Sequence, residues 1–132
     1  MVFPTITAGY AGVLGLILFA LSFWVIGGRG QYRIVHGDGG RPELNRRIRA
    51  HGNFTEYVPM ILVLAALIEA SGGGPIKIHW LLGPLTLARL IHPFGMVAPE
   101  GSRRQYAFRA PGAVITMIVL AAASMMLLTR TL

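Results

Sequence analysis

Apolar residues run along the chain in long unbroken blocks, and the charged ones gather between them. From Met1 to Gly28 no side chain carries a formal charge, and the stretch 6–26 is long enough to cross about 30 Å of hydrocarbon as a helix rising about 1.5 Å per residue. The pattern predicts a first membrane span at about 4–28. A cleaved signal peptide is the rival reading, but no basic residue precedes the block and its apolar part exceeds the usual h-region. Gly27 and Gly28 end the span. Arg29, Arg33, Arg41, Arg46, Arg47 and Arg49 then follow, interrupted by the turn-forming run His36-Gly37-Asp38-Gly39-Gly40.

Pro42-Glu43 suits the first turn of a second helix, predicted at about 43–70, polar at its start and stopped by Ser71-Gly72-Gly73-Gly74-Pro75. A third span is expected at about 76–96, with Arg89 and His92 in its second half and Pro84 and Pro93 as kinks. Residues 97–109 hold Glu100, Arg103, Arg104 and Arg109 and read as a loop. The charge-free block that follows places a fourth span at about 108–130.

Composition agrees with a membrane solvent. Of 132 residues, 54% are hydrophobic and 13% charged, about half the charged share of a water-soluble domain. The net charge of +7 invites a nucleic-acid partner, but the arginines lie between apolar blocks and not along a soluble face, so no nucleic acid is expected. Loops one and three hold nearly all the basic residues, which places both in the cytoplasm and both termini outside. The fold expected is all-α: one transmembrane domain over 1–132, an integral membrane four-helix up-down bundle. With no cysteine, thiolate metal sites drop out. The four histidines form no ligand-spaced pair, so no metal is expected.

Arg46, Arg49, Asn53 and Glu56 fall at i, i+3, i+7 and i+10, within about 80° on one helical face. From Arg49 to Glu56 the stripe descends about 10 Å, toward hydrocarbon where an unpaired charge costs several kcal/mol. One reading is structural, with Asn53 and Glu56 paired to Arg89 of a neighbouring helix. The other is a receptor for a zwitterion: arginines take two carboxylates, Glu56 an ammonium, Asn53 an amide. Glutathione fits that description.

The segment Arg47-Ile48-Arg49-Ala50-His51-Gly52-Asn53-Phe54-Thr55-Glu56-Tyr57-Val58-Pro59 resembles the signature of the MAPEG family, the membrane-associated proteins of eicosanoid and glutathione metabolism. Arg29-Gly30-Gln31-Tyr32-Arg33, Ala88-Arg89-Leu90 and Arg109 add to the likeness, which is nearest to small bacterial members. The resemblance implies a homotrimer in a bacterial inner membrane, with glutathione between adjacent subunits near the cytoplasmic face. It implies Arg29, Arg49, His51, Asn53, Glu56 and Tyr57 as ligand contacts and Arg109 as the catalytic residue. A fixed cation there would favour the thiolate, with Arg103 and Arg104 as rivals. The chain departs from the family at His92, Pro93, Phe94 and Met96, where members with eicosanoid chemistry carry tyrosines. It departs again at Ala110, where prostaglandin E synthases carry a serine.

The activity expected is transfer of glutathione to a hydrophobic electrophile or lipid substrate dissolved in the membrane, or peroxidase chemistry on a lipid hydroperoxide. Two alternatives are a non-catalytic lipid- or glutathione-binding protein of the same fold, and a small transporter or channel subunit using Glu56 and His92 as a proton relay.

Overall fold

The computed structural model describes residues 2–131, which form four helices and, among the described residues, no strand. They are α1 (Thr5–Tyr32), α2 (Pro42–Ala70), α3 (Pro75–Met96) and α4 (Arg103–Thr131). Compared with the expected spans, α1 runs one turn further, taking in Arg29 and ending at Tyr32, and α4 starts earlier, so Arg103 and Arg104 stand on a helix and not in a loop.

Local chemistry accounts for the ends. Arg33 closes α1 in the left-handed region (φ 53°), and the Ile34 amide donates back to the Arg29 carbonyl at 2.9 Å. Pro42 and Pro75 open α2 and α3, where a missing N–H costs nothing and the ring presets φ. Ser102 accepts the Gln105 amide at 3.2 Å, and Gln105 Oε1 accepts the Gly101 amide at 2.9 Å, which caps the start of α4. Pro84 and Pro93, expected as kinks, both lie inside a continuous α3.

Consecutive helices are antiparallel, as shown by contacts between the end of α1 and the start of α2 and between the start of α1 and the end of α2. α3 packs most extensively on α4, α1 packs on α2 and α3, α2 packs on every other helix, and among the described residues α1 and α4 are not packed on each other. The core they share contains Leu14, Leu21, Phe54, Ile61, Ala65, Leu82, Leu85 and Ala123. Large apolar side chains are also turned outward: Leu16 is 72% exposed and Trp80 75%. An apolar outer surface of this extent suits lipid, not water.

Three helices, α1, α2 and α4, are long and apolar enough to cross a membrane. α3, expected as a span on the same footing, is not one of them. It is the shortest of the four and carries Lys77, His79, Arg89 and His92, of which Arg89 and His92 are buried against its neighbours.

Candidate functional site

The C-terminal ends of α1 and α3 and the N-terminal ends of α2 and α4 meet at one end of the bundle, which gathers the arginines. At its centre is Arg89, only 1% exposed. One terminal nitrogen, Nη1, donates to Asn53 Oδ1 of α2 at 2.6 Å, and the other donates to Thr116 Oγ1 of α4. The Thr116 hydroxyl in turn donates to the Gly112 carbonyl at 2.7 Å. Three helices are thus tied through one guanidinium, whose Nε has no partner among the described residues. In hydrocarbon such a charge is tolerable only when its donors are occupied. Next to it, His92 is buried against α4, where a Cβ at Gly112 would come within 2.8 Å of the imidazole.

The other predicted residues surround this centre. Arg29 sits half-buried in the last turn of α1, with its Nε buried and unpartnered among the described residues. Gly28, before it, lets α2 approach: a Cβ there would be 3.0 Å from both Arg47 and Leu44. The Arg47 guanidinium lies 5.3 Å from the centroid of the Trp24 ring. Tyr57 is half-buried against the core. His51 Nε2 lies 3.1 Å from Ser22 Oγ of α1. Because the Ser22 hydroxyl donates to the Leu18 carbonyl at 2.9 Å, the imidazole is the donor in that pair.

Arg49, Glu56 and Arg109 are exposed and face outward. Arg109 lines a shallow recess of about 290 Å³ with Gln105, Tyr106, Ala110 and Ala113. On a helix, Arg103 and Arg104 lie about 120° and 140° around the axis from Arg109, so the three cations do not share a face. Of the two pairings weighed for Arg89, Asn53 is made and Glu56 is not. The structure therefore brings Asn53 and Arg89 together and leaves Arg49 and Glu56 without an intramolecular partner among the described residues.

Two cavities adjoin this end. Between α1 and α3, Ile17, Leu21, Trp24, Leu90 and Phe94 enclose about 540 Å³ of mainly apolar space, with Arg89 in its wall. In the first loop, about 640 Å³ is bordered by Tyr32, Arg41, Glu43 and Arg46. The Tyr32 hydroxyl donates to Glu43 at 2.8 Å, and the Arg41 guanidinium stacks 4.4 Å from the Tyr32 ring centroid. Asp38 closes the glycine run by accepting the Gly40 amide at 2.9 Å and the Asn45 side chain at 2.6 Å. Those bonds, Asn45 first, hold its carboxyl below the usual range.

Sequence reasoning passed over Thr116, Ser22 and Glu69. The first two are lone hydroxyls in apolar spans, a weak cue by themselves. Glu69 carried a stronger one, as an acidic residue at the far end of a span where no cation stands beside it.

The family model described as "MAPEG family" matches residues 7–129. "Inner membrane protein YecN" of Escherichia coli strain K12 is 42% identical over 91 residues, covering 68% of this chain and 69% of its own length. The protein of the same description from Escherichia coli O6:H1 matches to the same extent.

Proposed function

The chain belongs to the MAPEG family, and from that membership we propose that it is a membrane-bound glutathione transferase, assembled as a homotrimer with glutathione held between subunits at the arginine-rich end. The observation that carries this reading is Glu56. It lies about 21 Å along α2 from Pro42, is exposed on the protomer and has no hydrogen bond or ion pair among the described residues. A carboxylate at that depth against lipid costs several kcal/mol, so its face is completed by something cationic. Arg49 lies on the same face about two turns away and Asn53 between them, which together suit a ligand with an ammonium and acceptor oxygens.

Glutathione supplies both, and its thiol is the reacting group. Arg109, as a fixed cation, stabilises the thiolate left when the thiol gives its proton to water; the sulfur electron pair bonds to an electrophilic carbon, and either the leaving group departs with the electrons of the broken bond or, in an addition, the carbanion formed takes a proton from water. The cavity between α1 and α3 is apolar and large enough for a hydrophobic co-substrate. The arginine-rich end faces the cytoplasm and both termini the other side, by the asymmetry of basic loops.

The test is calorimetry with glutathione on protein purified in detergent, together with conjugation of a generic hydrophobic electrophile, for the parent and Glu56→Gln. Heat and turnover in the parent, both reduced in the variant, support the reading. Heat without turnover makes the protein a glutathione binder, and no heat at all removes the proposal.

A further inference from the structure

We infer that Arg89 is a positioning residue: with Thr116 it fixes the Asn53 carboxamide so that Oδ1 points into the bundle and the NH₂ group is presented to the ligand face, making Asn53 a donor that selects an acceptor oxygen. The identity of the ligand rests on the glutathione reading; the orientation does not.

The direction of every bond in the group is determined. A guanidinium only donates, so the atom of Asn53 that lies 2.6 Å from Nη1 is the carbonyl oxygen. The other terminal nitrogen donates to Thr116 Oγ1, and the single hydroxyl proton of Thr116 goes to the Gly112 carbonyl at 2.7 Å. The guanidinium that faces Asn53 offers no acceptor for the amide protons. Turning the carboxamide over would set Nδ2 against a guanidinium that is 1% exposed, leaving donor facing donor in a site where no water can intervene. Two side chains from α3 and α4 therefore decide the polarity of a third on α2.

The outward end of the carboxamide is open. Asn53 is half-buried, and its Nδ2 has no hydrogen-bond partner among the described residues. On α2 it shares a face about 60° wide with Arg49 and Glu56. Along that face run a cation, a neutral two-proton donor and a carboxylate. An amide that could rotate would accept an N–H from a ligand or donate to one of its oxygens; held by Arg89, it turns only its N–H donors to the ligand. The ligand group that meets Asn53 is then a carboxylate or carbonyl oxygen, and the ligand's ammonium is confined to the Glu56 end. Arg89 thus sets the direction in which an asymmetric peptide lies along the stripe without touching it.

The deciding variant is Asn53→Asp. It keeps the shape and still offers an oxygen to Arg89, so the thermal midpoint in detergent should equal or exceed that of the parent. The outward donor becomes an acceptor, and glutathione affinity by calorimetry should fall at least about tenfold. Arg89→Lys, a point donor that cannot serve Asn53 and Thr116 together, should weaken binding more than turnover at saturation. A second readout needs no ligand: the Asn53 side-chain amide NMR signal, assigned by its loss in Asn53→Asp, should move in Thr116→Val and stay in Thr116→Ser. Parent-like affinity in Asn53→Asp overturns the inference. If the parent itself gives no heat with glutathione, the transferase reading falls, and an amide signal indifferent to Thr116→Val would then overturn the orientation as well.

Discussion

Glu69 on the last turn of α2 holds Thr7 on the first turn of α1 by two hydrogen bonds to one carboxylate oxygen, 2.8 Å from the Thr7 amide and 2.7 Å from its hydroxyl. The other oxygen accepts the Ile6 amide at 2.9 Å. α1 begins after Pro4 with no side-chain cap of its own, so the free amides of its first turn are satisfied from 62 residues away. The charge also lies at the positive end of the helix dipole.

Glu69→Gln keeps an acceptor and loses the charge, and should lower stability by about 1–2 kcal/mol. Thermal unfolding in detergent measures the total, and hydrogen exchange at the Ile6 and Thr7 amides locates it. Unchanged protection at those two amides would show that the cap is dispensable.

Glycine placement makes a second contrast. A Cβ at Gly95 of α3 would run into the Arg109 backbone, and one at Gly112 of α4 would press on His92 from 2.8 Å. These are the close approaches that let α3 and α4 pack so extensively. Gly95→Ala should cost about 1–3 kcal/mol by forcing the helices apart. Gly15→Ala, with nothing within 4 Å, should leave the midpoint unchanged or raise it. Equal effects in the two variants would contradict the packing.

How far the sequence discloses this structure depends on the range of the interaction. Long charge-free blocks reveal α1 and the body of α4, because hydropathy sums over some twenty neighbours and needs no partner. The first turn of α4 reads as loop in the sequence, since Arg103, Arg104 and Gln105 are polar and its cap is only the pair Ser102 and Gln105. The stripe Arg49, Asn53, Glu56 is legible because one helix's periodicity generates it. Which of Asn53 and Glu56 meets Arg89 is not, because that depends on the rotation of α3 and on Thr116, one hydroxyl in a span otherwise read as apolar. Glu69 stands out in the sequence as a lone carboxylate, but its partners do not: two backbone amides and the Thr7 hydroxyl, brought to it by the antiparallel pairing of α1 and α2.

Asp38 makes the first loop pH-dependent. Hydrogen bonds from Asn45 and the Gly40 amide depress its folded pKa below the ordinary value of about 3.9. A depressed carboxyl contributes stability above the unfolded pKa and loses it as pH falls through the folded one. The glycine turn should therefore hold at neutral pH and loosen only below about pH 4. Exchange at the Gly40 amide, followed against pH, should show protection falling in that window, and Asp38→Asn should flatten the profile. Protection that stays level from pH 7 down to about pH 3 would contradict this account.

On the transferase proposal, a variant at Arg109 should separate catalysis from binding. Arg109 is exposed on α4, in a recess with Gln105, Tyr106, Ala110 and Ala113, on a different side of the helix from Arg103 and Arg104. If its charge acts on the thiol, Arg109→Ala should reduce turnover by at least about a hundredfold while glutathione affinity changes by less than about tenfold, since the stabilisation is spent on the thiolate and not on the tripeptide. Arg103→Ala and Arg104→Ala, turned away from that recess, should each stay within about threefold of the parent. The thiolate absorbance of bound glutathione near neutral pH gives an independent readout, present in the parent and in both control variants and absent in Arg109→Ala. Loss of that absorbance in Arg103→Ala or Arg104→Ala, with Arg109→Ala unaffected, would move the thiol to another face of α4 and with it the opening through which an electrophile reaches the sulfur.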